Sequence, residues 1–108
     1  MIAVHRLLNY EVIDQWVRSV QTHLTAILGR AASPDGAGGR AEWLLLRCGD
    51  TLRYDLRYFE EVKYKSVLDL IEDLEQLAAE FPGIVPADLA MPARALIQDA
   101  ERKRFLNG

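Results

Sequence analysis

Apolar positions along the chain follow two different periods. From Tyr10 onward, Val12, Ile13, Trp16, Val17, Val20, Leu24, Ile27 and Leu28 recur at spacings of three and four, as one face of a helix does. This predicts a long helix over residues 10–31. Asn9 stands where a cap belongs, with Glu11 beside the positive helix end and Leu8 and Ile13 set as a hydrophobic staple. A second stripe, Val67, Leu70, Ile71, Leu74, Leu77, Ala78 and Phe81, follows Ser66 as N-cap and stops at Pro82-Gly83. A charged connector over residues 60–65 is expected to precede it. A third stripe, Ala93, Leu96, Ile97 and Ala100, predicts a last helix over residues 92–106. Pro92 suits its first turn, and Arg102, Lys103 and Arg104 suit its negative end.

Between the first two helices the period falls to two. Leu52, Tyr54, Leu56 and Tyr58 alternate with Arg53, Asp55 and Arg57, which a strand converts into one apolar and one polar face. Gly49-Asp50 has the composition of a type II′ turn. Residues 41–59 are therefore expected to form a β-hairpin with Trp43, Leu45, Leu52, Tyr54, Leu56 and Tyr58 on one face. Its register sets Glu42 opposite Arg57, a pair worth ~0.2–1 kcal/mol. The expected fold class is α+β: a long N-terminal helix, a β-hairpin, then two helices packed on one face of a small antiparallel sheet. A two-stranded ribbon is marginal alone and its edges need cover. Either residues 2–7 add a third strand, or a second copy pairs edge to edge to give a homodimer. Residues 33–39, rich in glycine, read as a flexible loop inside a single domain spanning residues 1–108.

Composition narrows the function classes. The chain has 108 residues, half of them hydrophobic and 27% charged, enough for a core without disulfides or metal. A net charge of −3 provides no global basic field for nucleic acid. The single cysteine, Cys48, excludes an intrachain disulfide framework and a thiolate zinc site, and reads as a small core residue. No apolar run reaches the ~20 residues of a membrane span, and His5, Arg6 and Asn9 interrupt the N-terminal apolar run, so the expected location is cytoplasmic.

Candidate chemistry is sparse. No carboxylate stands at metal-ligand spacing from His5 or His23, and no nucleophile or phosphate-loop motif occurs, so no catalytic residue, cofactor or metal is assigned. His23 alone supports a small enzyme of unknown reaction as a remote alternative. The hairpin arginines Arg53 and Arg57, with Arg47, suggest nucleic-acid binding, but the strand register turns the tyrosines away from Arg53 and Arg57, so stacking and charge are separated. The expected function is non-enzymatic capture of another protein, of the immunity, antitoxin, adaptor or chaperone type. Its candidate surface joins the hairpin's second face, Glu42, Leu44, Leu46, Arg53, Asp55 and Arg57, to an acidic helix face with Asp69, Glu72 and Asp73 suited to a basic partner. The bland alternative covers Leu44 and Leu46 with the first helix and leaves the acidic face merely solvated.

Overall fold

Buried residues recur at alternating spacings of four and three in every long segment of the chain. In a computed structural model, which describes residues 2–30 and 36–107, these segments are four helices: α1 (Tyr10–Arg30), α2 (Ala37–Arg53), α3 (Leu56–Glu80) and α4 (Met91–Asn107), preceded by a 3₁₀ turn at Val4–Arg6. The buried stripes are Ile13, Val17, Val20, Leu24 and Ile27 in α1; Ala37, Ala41, Leu44, Cys48 and Thr51 in α2; Lys63, Val67, Leu70, Leu74 and Leu77 in α3; and Ala93, Ile97 and Ala100 in α4. This near-heptad repeat packs helices side by side along a shared seam. The architecture is a helical bundle, and no strand occurs among the described residues.

The expected α+β class, the antiparallel sheet and the hairpin over residues 41–59 are therefore corrected. Ala41, Leu44, Cys48 and Thr51 all point into the core of α2, and the supposed turn residue Gly49 lies inside that helix. The period-two run spans a helix break: Leu52 and Arg53 end α2, Tyr54 caps it in extended backbone, and Asp55 caps α3. Residues 2–7 form no third strand; they contain the 3₁₀ turn. Glu42 does not face Arg57, whose guanidinium instead pairs with Asp55 at 3.0 Å. Ser66 is not an N-cap, and residues 60–65 are not a connector, since α3 runs through both. Of the expected flexible loop, residues 37–39 open α2, while residues 33–35 lie outside the described residues.

Side-chain pairs fix the helix directions. Arg40 with Glu80, Arg47 with Asp69 at 3.5 Å, and Thr51 Oγ1 with Ser66 Oγ at 2.6 Å make an antiparallel ladder between α2 and α3. Arg94 with Glu75 at 2.5 Å, together with Glu101 and Phe105 beside Tyr64, sets α4 antiparallel to α3. α2 lies closest to α1, as its small Ala37, Ala41 and Cys48 side chains permit. Asn9 caps α1 as expected, its Oδ1 accepting from the Val12 N–H at 3.3 Å. Gly83 takes a positive φ of 86° just past α3, a conformation that glycine adopts without a Cβ penalty. Trp16 Nε1–H donates to the Leu89 carbonyl at 2.9 Å and fastens the following loop to α1.

One charge is inside. Lys63 is 2% exposed and its Nζ lies 2.8 Å from Asp14 Oδ1, joining α3 to α1. That oxygen is buried and accepts no well-angled hydrogen bond, so the ion pair is its compensation. Removing one partner of such a pair strands the other charge, whereas replacing both partners by apolar side chains of similar size is tolerated.

Two stability measurements follow from these placements. Asp14→Ala is expected to lower unfolding free energy in urea by roughly 3 kcal/mol, the low end for a buried pair because Asp14 is partly solvated, while Lys63→Met in the same background recovers most of the loss. No recovery would show that the pair is not the origin of the effect. Gly49→Ala meets no atom within 4 Å of the added Cβ, so it is expected to stabilise the helix by about 0.5–1 kcal/mol. Destabilisation there would return the segment to a glycine-requiring turn.

Candidate functional site

The α2–α3 break creates the most distinctive surface. Asp55 accepts from the Arg57 N–H at 2.8 Å and starts α3. The first turn is then offset from the rest by Phe59, whose φ of −130° and ψ of 25° interrupt the helix. Leu56, Tyr58, Phe59 and Val62 consequently stand in solvent. Tyr54 remains half-buried against Phe59, ring centroids 6.3 Å apart.

The N-terminal segment and the end of α4 meet α3 at the same end of the bundle. His5 Nδ1 lies 3.4 Å from Glu60 Oε1, its ring is 6.3 Å from that of Tyr64, and its carbonyl accepts from the Tyr10 hydroxyl at 2.8 Å. A groove of about 810 Å³ runs between these elements, with Val4, His5, Glu61, Tyr64, Glu101 and Phe105 among its walls. Burial, then the Glu60 carboxylate, pushes the Tyr10 hydroxyl above the ordinary phenol range. Burial, then Glu101, does the same to Tyr64, with Arg104 opposing. Both therefore stay protonated, and the Tyr10 hydroxyl serves as a hydrogen-bond donor. Beyond Ala100 every described side chain of α4 is exposed, including Phe105 and Leu106.

The sequence-derived candidates scatter over this framework. Leu44 belongs to the core, so the hairpin face assigned to it does not exist; Leu46 is exposed. Arg53 pairs with Asp50, and Arg57 with Asp55. Asp69, Glu75 and Glu80 are engaged by Arg47, Arg94 and Arg40, so the acidic face of α3 is largely neutralised from within, leaving Glu72 exposed and Asp73 partly so. Glu42 is exposed on α2. The helical fold also removes the register that separated arginines from aromatics: Arg47 lies 4.9 Å over the Trp43 ring and Arg57 5.5 Å over that of Tyr58. All three arginines of that side nevertheless pair with a carboxylate, which a phosphate would have to displace.

Sites for catalysis are thin. His23 lines a second groove of about 430 Å³ beside Pro82 and Pro86, but its other walls are apolar, and its Nδ1 is 2.9 Å from the Ser19 carbonyl. Burial pushes the Cys48 thiol up to about 12, so it is protonated and inert. Among the described residues no group of three potential ligands could hold a metal ion, and no helix is long and apolar enough to cross a membrane.

Sequence reasoning missed Phe105 and Leu106. A signal was present: continuing the α4 stripe from Ala93, Ile97 and Ala100 places Arg104 in the next core position, and a charge there takes the helix out of the core. Fold and surface together define a four-helix bundle with an apolar, arginine-bearing end. Comparison with protein-family models, with curated proteins and with solved structures finds no match to this chain.

The Asp55–Arg57 cap titrates. Hydrogen bonds from the Arg57 side chain, then from its N–H, hold the Asp55 carboxyl below its ordinary value. An unfolded aspartate titrates near ~3.9, so the cap's contribution is complete above that pH and is lost as pH falls through the lower folded value. Arg57→Ala is expected to shift the Asp55 carboxyl titration, followed by NMR, upward towards the unfolded value. Identical titrations in both proteins would contradict this account of the cap.

Proposed function

We propose that this chain is a non-enzymatic protein that works by docking another protein on the exposed end of its bundle. The observation that carries the reading is the concentration there of solvent-facing Tyr58, Phe59, Phe105 and Leu106. Aromatic anchors with neighbouring arginines are the composition of energetically productive interfaces. Arg57 stacks on Tyr58 and supplies the polar edge of such a surface. The charged groups nearby are matched inside the chain, as in Arg53 with Asp50, so apolar contact and shape supply the attraction and charge acts at the rim. The reading keeps the cytoplasmic location expected from the sequence, where the buried Cys48 thiol stays reduced.

A photoreactive phenylalanine analogue placed in living cells at position 58 or 105 is expected to yield discrete protein adducts. The same group at position 25, exposed towards the other end of α1, is expected to yield none. Uniform labelling at all three positions, or silence at 58 and 105, would defeat the docking reading.

A further inference from the structure

We infer that the occupant of this end surface is a second copy of the same chain, an inference that rests on the docking reading above and specifies its partner. Of the large hydrophobic side chains exposed among the described residues, Ile2, Val12, Trp43, Leu46 and Met91 are spread over the N-terminal segment, α1, α2 and the start of α4. Leu56, Tyr58, Phe59 and Val62 from α3 and Phe105 and Leu106 from α4 lie at one end, brought there by the antiparallel packing of α3 and α4. Exposure of 76% at Tyr58, 85% at Phe105 and 74% at Leu106 is far beyond what a folded side chain gains from its own domain. Taking ~200 Å² for a whole aromatic side chain and somewhat less for Leu and Val, the exposed fractions of these six side chains add up to roughly 700 Å². A monomer rarely exposes more than a few hundred Å² in one region, and a stable interface covers ~800 Å² on each partner.

Charge is compatible with a copy and disfavours a partner of one dominant sign. The rim carries both signs in matched pairs, Arg53 with Asp50, Arg57 with Asp55, and Arg102 and Lys103 with Asp99. A partner of one dominant sign gains nothing from such a rim. Because each of these pairs is neutralised within its own chain, two copies meet at the rim without net like-charge repulsion. Tyr58 and Phe105 then serve as anchors, filling the space left at the offset first turn of α3 and along the Tyr64 groove of the other copy.

Sedimentation equilibrium of the full chain tests this. A dimer is expected well below about 100 μM, the regime of a roughly micromolar Kd. Tyr58→Arg and Phe105→Arg, both at exposed positions, are each expected to raise Kd at least tenfold with unchanged far-UV circular dichroism, while Leu46→Arg on the outer face of α2 leaves it unchanged. Adducts from position 58 are expected at twice the chain mass. A monomer at about 100 μM, or a dimer broken by Leu46→Arg but not by the other two, overturns the inference. If the chain is monomeric yet position 58 still captures a different protein, the second copy is wrong and the docking reading stands. If it is monomeric and position 58 captures nothing, both fall.

Discussion

The bundle depends on a seam in which buried positions alternate by four and three residues, read in register by three long helices. Ile13, Val17, Val20, Leu24 and Ile27 in α1 run alongside Ala37, Ala41, Leu44, Cys48 and Thr51 in α2. Large side chains on one helix meet mostly small ones on the other, so the two axes approach closely. α3 then closes the core with Val67, Leu70, Leu74 and Leu77. A molecule 49 × 25 × 17 Å in extent is what such side-by-side packing produces, since 25 residues of helix alone span ~37 Å.

Two seam positions are polar, and they lie near the same end. Thr51 and Lys63 occupy places where an apolar side chain would bury equally well. Thr51 answers Ser66 across the α2–α3 contact, and Lys63 answers Asp14 across to α1. The Lys63 pairing is satisfied in one helix register only, because a one-turn slip would bury an unpaired ammonium, while the Thr51 hydroxyl also donates to the Arg47 carbonyl of its own helix at 2.9 Å. Polar residues within a coiled-coil seam act in this way to select one alignment at some loss of stability. The exposed ladder of Arg40 with Glu80 and Arg47 with Asp69 adds little energy, but it consumes carboxylates that would otherwise make α3 an acidic surface.

How far the fold could be read from sequence tracks side-chain size. The stripe of α1 and that of the second half of α3 consist of Val, Leu, Ile and Phe, and their period is plain. Apart from Leu44, the stripe of α2 is written in Ala, Cys and Thr, residues that hydrophobicity scarcely distinguishes from surface, so Trp43 and Leu45 fit one face of a hairpin strand and Leu44 and Leu46 the other. The alternation at 52–58 had a different origin. It arises where two helices abut, with Tyr54 and Asp55 in extended backbone between them, and a period of two over so few residues does not separate a strand from such a junction. Ser66 resembled a cap because its hydroxyl is needed, but for Thr51, not for a helix end. Of the two leucines assigned to one candidate face, Leu46 is exposed and Leu44 lies in the core. The dispersal of Asp69 and Glu75 into ion pairs with Arg47 and Arg94 was invisible without the helix directions.

The end surface reveals itself by what folding leaves unexplained. Helical stability comes chiefly from burying one face, yet α4 continues past Ala100, its last buried residue, to Asn107. Over that extension the seam position is Arg104 and no described side chain is buried; the segment rests beside the Val4–Arg6 turn and Tyr64, while Phe105 and Leu106 face water. The first turn of α3 repeats the pattern: Asp55 and Arg57 hold a turn whose Leu56 and Tyr58 contribute little to the core. Intramolecular caps and ion pairs maintain both segments in helical form while their apolar side chains stay uncovered. A fold optimised only for its own stability would end α4 near Ala100 and place polar residues after Asp55. Keeping two ordered, exposed apolar turns at one end is the arrangement expected of a surface prepared in advance for contact, since ordering the anchors before encounter lowers the entropy lost on binding.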